Sequence, residues 1–364
     1  MSDTSADDFF SRQATQARGP EPDRPARRKM KRSKLIKRAL LAATLSLVVA
    51  VAGVVVGGYL AVNHLASSVH RIHGIVALQA LHKPLMPAAS RRSMTVLLTS
   101  SGEQPGQNGG PGVDGSSTNP APMAGLISLV HLNASGRSGA VVSIPANVIV
   151  HLPGHGSMQL WKALSIGGPS LLIEAVERFT DVRIDHYSVL DFPGVRSVSG
   201  AMSGVDVNVP FATTSFGQSF HAGINHLNAG NVLAYARQPA VSELGREELQ
   251  SNLLRAIMNK IASQHMFSHV ATDWRVVRAL AAALSVDSNF SDSQLESMAL
   301  RLGRLGGGNG VFITTPTTGS PTAGGTDPIF LRRLASRLWQ AIRTDSVAAF
   351  ARRFPSTVTP GAPG

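Results

Sequence analysis

Apolar and polar positions divide the chain into one long uncharged run near its start and a longer region where short apolar runs alternate with helical periods. Residues 39–62 (ALLAATLSLVVAVAGVVVGGYLAV) are 24 residues without a charge. At about 1.5 Å of rise per residue, some 20 of them cross the hydrocarbon of a bilayer. The run predicts a transmembrane helix, because it is too long for the apolar part of a signal peptide and no clear small-residue cleavage site follows it. Residues 63–93 read as a helical extension or stalk, ended by Pro84 and Pro87.

Beyond the stalk the pattern changes. Met94–Ser100 (MTVLLTS) is a short, β-branched apolar run that fits a buried strand. Residues 102–122 are so rich in Gly, Pro, Ser and Asn that they predict a long loop. Leu126–Leu132 and Ala140–Pro145 are two further strands around a Ser/Gly turn, which predicts a hairpin. His151–Gly156 (HLPGHG) reads as a loop. Met158–Thr180 has helical spacing, broken at Gly167-Gly168-Pro169 into two helices. Arg183–Phe192 predicts a strand, Val195–Met202 a short helix and Val205–Pro210 another strand. Leu227–Gln238 predicts a helix, and Glu243–Met266 a long one with Leu249, Leu253, Ile257 and Ile261 on one face. Two helices fill residues 274–304, Gly310–Pro316 is a late strand, and Pro328–Arg343 a final helix. Alternating strands and helices predict the α/β class: a mixed central sheet flanked by helices (α-β-α), preceded by one N-terminal transmembrane helix. No composition break divides residues 94–345, which form one domain with residues 346–364 as a tail.

Charge sharpens the picture of the N-terminus. The chain of 364 residues has a formal net charge of +12. Residues 1–38 alone carry 11 Lys/Arg against 5 Asp/Glu. Half of the excess therefore sits directly before the apolar run, with RRKMKRSKLIKR at residues 27–38. Positive charge flanking a first span keeps that side cytoplasmic. The chain is thus expected in the cell membrane, single-pass, with a disordered basic cytoplasmic tail and its main domain outside. The span accounts for the basic run, so no nucleic-acid partner is expected. The chain has no Cys, which excludes disulfides, thiolate nucleophiles and Cys-ligated zinc.

No GxSxG, HExxH or phosphate-loop string occurs. His151 and His155 are separated by Pro153 and Gly154, so they read as loop residues rather than helical metal ligands. His64, His70 and His73 read as interfacial, and Trp161 as core or rim.

The order of short strings nevertheless identifies a resemblance. LVHLN (Leu129–Asn133), VVSIP (Val141–Pro145), PGHG (Pro153–Gly156), GGPSLLIEAVERFTDVRIDHYSVLDFPGV (Gly167–Val195), GVDVNVP (Gly204–Pro210), AGINHLNAGNVLAYARQ (Ala222–Gln238) and ELGREELQSNLL (Glu243–Leu254) follow one another. This resembles the LytR-CpsA-Psr family of cell-envelope proteins, from about Met94 to the C-terminal helix. The resemblance implies an extracytoplasmic domain that holds a polyprenyl (pyro)phosphate-linked glycopolymer and transfers it to peptidoglycan. It also implies Arg forks for the phosphate oxygens and Mg held by carboxylates.

Carried over residue by residue, much of that machinery is substituted. The family's Gly-Ser-Asp-x-Arg falls on Thr99-Ser100-Ser101-Gly102-Glu103, and its Arg-Ser-Asp on Met123-Ala124-Gly125. The implied metal-ligand positions are thus Ser101 and Gly125, neither a carboxylate. Its Ile-Pro-Arg-Asp falls on Ile144-Pro145-Ala146-Asn147, so the Arg is lost there too. Of Tyr-x-Arg-x-Arg, Tyr235 and Arg237 remain while Pro239 replaces the second Arg. Asp-x-x-Arg-x-x-x-Gln matches Glu243, Arg246 and Gln250, with Leu249 at another common Arg position. Arg237, Arg246 and Gln250 are the candidate lipid-phosphate ligands; no catalytic residue is assigned. Three readings follow: a transferase-like pseudoenzyme that binds the lipid carrier, an active enzyme whose metal site is rebuilt from Glu103 and Asp114 in the loop, and a non-catalytic envelope scaffold or regulator.

Overall fold

The computed structural model describes residues 69–79, 83–101, 126–209, 211–236, 243–263, 274–305, 310–318 and 329–358. The transmembrane helix expected at 39–62 and the cytoplasmic tail expected before it lie outside these residues. In chain order the strands are β1 (His70–Ile72), β2 (Met94–Ser101), β3 (Ile127–Leu132), β4 (Gly139–Ser143), β5 (Ile149–Leu152), β6 (Gly156–Gln159), β7 (His186–Asp191), β8 (Val205–Val209), β9 (Thr213–Ser215), β10 (Gln218–Phe220), β11 (Gly223–Leu227), β12 (Leu284–Asp287), β13 (Gly310–Thr314), β14 (Thr317–Thr318) and β15 (Ile329–Phe330). The helices are α1 (Lys162–Thr180), α2 (Phe192–Ala201), α3 (Val232–Ala236), α4 (Glu243–Ser263), α5 (Trp274–Ala283), α6 (Asp292–Leu305), α7 (Arg332–Arg343) and α8 (Val347–Arg353).

Seven strands form one mixed sheet in the order β1-β12-β7-β2-β3-β4-β13. Strands β2 and β7 run parallel, as do β4 and β13, while β3 runs antiparallel to both β2 and β4. The C-terminal ends of β2, β4, β7 and β13 therefore share one edge of the sheet with the start of β3. Every residue of β3 and β4 is buried, which explains why they read as unbroken apolar runs rather than as an alternation. On one face, Leu97, Leu129, Val142 and Ile313 pack against Leu172 and Val176 of α1 and Leu338 and Ile342 of α7. On the other, Val96, Leu98, Val141, Val286 and Phe312 pack against Leu254 and Met258 of α4 and Met298 of α6. A third cluster joins α2, α3, α4 and α5 to β8 and β11 through Val198, Val207, Leu227, Tyr235, Leu253 and Val276.

The mixed, helix-covered sheet agrees with the sequence pattern, and several local features depart from it. The break expected at Gly167-Gly168-Pro169 is present: Gly168 has φ +63° and ψ −160°, a backbone state that L side chains rarely adopt, so α1 is two helical segments joined at a kink. His151–Gly156, expected as a loop, is the turn of the β5–β6 hairpin. The helix expected over 227–238 starts only at Val232, because Leu227 still pairs with Val205 and a turn at Asn228–Asn231 intervenes. Between the two helices expected in 274–304 lies β12, antiparallel to β7. Its four residues follow a run of alanines that gives no strand signal. The buried Asp287 at its end accepts from the Tyr187 backbone N–H at 3.0 Å and faces His186 Nδ1 at 3.1 Å.

Both ends of the domain take in more chain than the pattern predicts. The residues expected to form a helical stalk contribute the edge strand β1, parallel to β12, and a short 3-10 turn at Val76–Gln79. Arg71 fastens β1 by donating to the Phe290 carbonyl and to Asp292. Beyond residue 345, where a tail was expected, Val347, Phe350 and Ala351 of α8 are buried in the core and Val358 bridges to Ile313.

The N-terminal segment is also latched to the end of α1. Lys83 Nζ donates to Glu177 Oε1 at 3.2 Å and to the Ile184 carbonyl at 2.5 Å, and the Ile184 N–H donates to Glu177 Oε1 at 2.8 Å. Burial pushes the Glu177 carboxyl up, against the pull of the Ile184 N–H and of Lys83. A raised carboxyl pKa in the fold means that this group's contribution is fully present below the ordinary value of 4.5 and is lost as pH rises through the raised one. Denaturant unfolding across that window is expected to show a smaller fall in stability for Glu177→Gln than for the wild type. Glu177→Ala leaves Lys83 buried without its partner and is expected to lower stability by about 3 kcal/mol. Equal pH slopes in wild type and Glu177→Gln would count against this account.

Candidate functional site

The edge where β2, β4, β7 and β13 end carries a row of buried hydroxyls. Ser100 sits at the end of β2, where its backbone N–H donates to the Leu126 carbonyl at 3.2 Å and its Oγ accepts from the Leu126 N–H at 2.9 Å. This pair of bonds fixes the two ends of the long segment 102–125. On β3 and β4, Ser128 Oγ and Ser143 Oγ are 3.4 Å apart, and Ser143 Oγ is 3.0 Å from Ser251 Oγ of α4. The Thr315 hydroxyl donates to the Ser143 carbonyl at 2.6 Å. All five side chains are buried. In doubly wound sheets, ligands collect outside the carboxyl ends of parallel strands. Here Ser251 of α4 meets Ser143 at that edge.

Of the residues singled out in the sequence, Ser101 ends β2 and Gln250 lies on α4 beside Ser251. Ser101 is in register with Asp191 at the end of β7. Gln250 is buried; its Nε2 donates to the Ala236 carbonyl at 3.3 Å. Its Oε1 is buried without a hydrogen-bond partner among the described residues. Asn147 Oδ1, at the end of the Ile144–Asn147 stretch, is likewise buried and without such a partner. The backbone of Arg246 lies in the first turn of α4. Arg237, Pro239, Glu103, Asp114 and Gly125 lie outside the described residues. Leu249 is fully buried in the helical cluster, where an arginine would not fit without a partner. Tyr235 is fully buried beside Phe220, ring centroids 5.6 Å apart.

Among the described residues, the donors at this edge do not by themselves make the carboxylate-held cation site that the sequence resemblance implies. Mg²⁺ binds through oxygens, commonly one or two carboxylates. Asp191 is the carboxylate that the described strands bring to this edge, and its Oδ2 accepts from the Gly194 N–H at 3.1 Å as the cap of α2. No group of three or more His, Asp or Glu capable of holding a metal occurs among the described residues. His151 and His155 are exposed on the β5–β6 hairpin, and His70 and His73 are exposed near β1. Trp161 is half-buried against the core, its Nε1 donating to Gln159.

Sequence reasoning missed Ser128, Ser143, Ser251, Thr315 and Arg255. The available signal was a polar residue inside an otherwise apolar run: Ser128 in LISLVHL, Ser143 in AVVSIP and Arg255 in LLRAIM. Arg255, one turn along α4 from Ser251, is buried, and its guanidinium lies 4.6 Å from the centre of the Phe312 ring. Burial lowers its pKa to about 10.

Comparison with known proteins places this architecture. The description LytR_cpsA_psr family matches residues 111–307. The chain is 28% identical over 196 residues to the polyisoprenyl-teichoic acid–peptidoglycan teichoic acid transferase TagV of Bacillus subtilis, covering 47% of this chain and 50% of that protein. It is 26% identical over 257 residues to the transferase of the same description, TagU, of Halalkalibacterium halodurans, covering 69% and 81%. The chain thus spans about half the length of several curated relatives it matches. The crystal structure of B. subtilis TagV superposes with a TM-score of 0.54 at 21% identity, covering 70% of this chain and 98% of that one. The fold is shared with that structure, and the chain belongs to the LytR_cpsA_psr family.

Proposed function

We propose that this chain is a single-pass, membrane-anchored cell-envelope protein that binds a polyprenyl (pyro)phosphate-linked glycopolymer and transfers it to peptidoglycan weakly or not at all. The observation that carries this reading is the buried hydroxyl row Ser128–Ser143–Ser251, with Gln250 beside it, at the edge where the family resemblance places charged groups. Hydroxyls and amides donate to phosphate oxygens. They do not replace the carboxylates that hold a cation. Arg237 and Arg246 supply the charge that such a neutral row lacks, by direct correspondence with the family's arginines.

The distribution of groups separates binding from chemistry. A phosphate held by donors is bound equally well before and during reaction, which gives affinity without rate. Transfer needs groups aimed at the charge that develops on the leaving phosphate, and loss of one such group lowers a rate by about 10²–10³. Relatives described as polyisoprenyl-teichoic acid–peptidoglycan teichoic acid transferases support the substrate class. The alternative, an envelope scaffold, draws on one contact: Gln250 Nε2 is already engaged by the Ala236 carbonyl.

Native mass spectrometry of the full chain in detergent, with polyprenyl diphosphate and Mg²⁺, tests this directly. A lipid adduct is expected that persists for hours and is largely absent from the Arg237→Ala, Arg246→Ala double variant. Steady loss of diphosphate from the adduct would establish an active transferase instead. Absence of any adduct, where TagV forms one, would leave the scaffold.

The orientation has its own test, made simple by the absence of cysteine. Single Ser5→Cys and Ser293→Cys variants are to be treated in intact cells with a membrane-impermeant maleimide. Labelling of the Ser293→Cys chain alone is expected. Labelling of Ser5→Cys, or of neither until the cells are broken, would refute a cytoplasmic N-terminus with an external domain.

A further inference from the structure

Between the apolar run at 39–62 and strand β2, residues 63–93 carry four Lys/Arg and no Asp or Glu. The fold turns part of this segment outward. Ile75 is buried in the core, yet Val76 beside it is 72% exposed and Leu85 is 91% exposed. The backbone around them is fastened. The Leu78 N–H donates to the Ile75 carbonyl at 3.3 Å, Lys83 is tied to Glu177, and the Ser90 N–H donates to the Pro87 carbonyl at 2.9 Å. A single exposed aliphatic side chain is ordinary on a protein surface. These two are set apart by what surrounds them.

Leu85 shares a concavity of about 620 Å³ with Leu78, Pro84 and Met86 and with Arg91 and Arg183. Arg183 gives its Nε to Asp185 at 3.1 Å, and Lys83 is engaged by Glu177. Arg91 and Arg92 are exposed and have no acidic partner among the described residues. The patch thus joins protruding aliphatic groups to uncompensated positive charge. That pairing suits an anionic bilayer, whose acyl boundary takes up the aliphatic groups while its phosphates meet the arginines. Chain length favours the same occupant. Seven residues (63–69) separate the apolar run from β1, and at no more than about 3.6 Å each they reach about 25 Å. Val76 follows the end of β1 by four residues. A surface tethered so closely meets lipid at high effective concentration, so weak contacts suffice.

We propose that Val76, Leu85, Arg91 and Arg92 dock the exported domain onto the anionic bilayer from which the chain emerges. This rests on the reading of residues 39–62 as a membrane span. Arg91 and Arg92 lead into β2 and Arg183 leads into β7, so the docking surface lies at the starts of two parallel strands. The buried hydroxyl edge lies at their other ends. Docking turns that edge away from the lipid and holds it in one orientation, where a free tether would let the domain swing.

The chain has no cysteine, so single positions can carry a probe. Leu85→Cys and a control, Ile224→Cys, are each labelled with an environment-sensitive fluorophore; Ile224 is an aliphatic residue of β11, 54% exposed. Each full chain is reconstituted in phosphatidylcholine liposomes, with or without phosphatidylglycerol, that carry a nitroxide quencher on the lipid. With phosphatidylglycerol present, the probe at 85 is expected to be quenched at least about twofold more than the probe at 224. That excess is expected to fall by about half or more in the Arg91→Gln, Arg92→Gln background and in about 1 M salt, where charges are screened within about 3 Å. An unquenched probe at 85 in a chain that resists carbonate extraction would overturn the docking and leave the span standing. If that probe is shifted to the blue yet unquenched by lipid, a second copy or another protein covers the patch, and the bilayer is refuted as its occupant. Equal quenching at 85 and 224 would mean contact without orientation and would also overturn it. Release of the chain by carbonate would refute the span. Quenching at 85 in anionic liposomes would then keep the docking, and its absence would overturn both.

Discussion

Helix α4 has two apolar sides to bury, and the arrangement of the domain depends on both being covered at once. Leu249, Leu253, Ile257 and Ile261 face the cluster built from α2, α3, α5 and β8. Leu254 and Met258 face the sheet through Phe312, Val141 and Leu98. Each fully buried Leu or Ile contributes about 1.5–3 kcal/mol relative to exposure, so neither side can be lifted off without losing much of the domain's net stability. The helix is therefore held at a fixed height over the sheet. Ser251 and Arg255 lie between these two apolar sets, which is why polar groups are carried into a contact that packing alone would have filled with methyls.

That placement explains why the polar row is satisfied in one direction and open in the other. Ser128, Ser143 and Ser251 hydrogen-bond one another across three elements, and Thr315 closes the Ser143 carbonyl. Hydroxyl to hydroxyl contacts can be made in either sense. Gln250 Oε1 and Asn147 Oδ1, by contrast, are buried acceptors with no donor among the described residues. Buried polar atoms are paired in most folded proteins, and those that are not call for a reason. A site that awaits a ligand with both donors and acceptors, such as a sugar phosphate, is one physical reason consistent with both atoms.

How much of this was legible in the chain depends on the length scale of each signal. β3 and β4 were readable because strands buried on both faces become continuous apolar runs, and α4 because 21 helical residues show several turns of period. β12 was not: four residues cannot establish an alternation, and its place is set by pairing with β7, about a hundred positions earlier in the chain. The same holds for β1, whose three residues are fixed by β12 and by Arg71 rather than by propensity. Within the site, Gln250 was found through its motif, and the structure buries it. Ser143 belongs to no motif, and only the tertiary contact between α4 and the strand ends brings it to Ser251.

The substitutions at this edge follow a consistent physical direction. Carboxylates at Ser101 and Gly125 would have repelled a phosphate unless a cation stood between them. A chain without those acids can hold the anion with hydroxyls and arginine alone, independent of metal supply. On the proposed function, the same change removes the means of neutralising a departing phosphate, which would uncouple affinity from catalysis by one set of replacements.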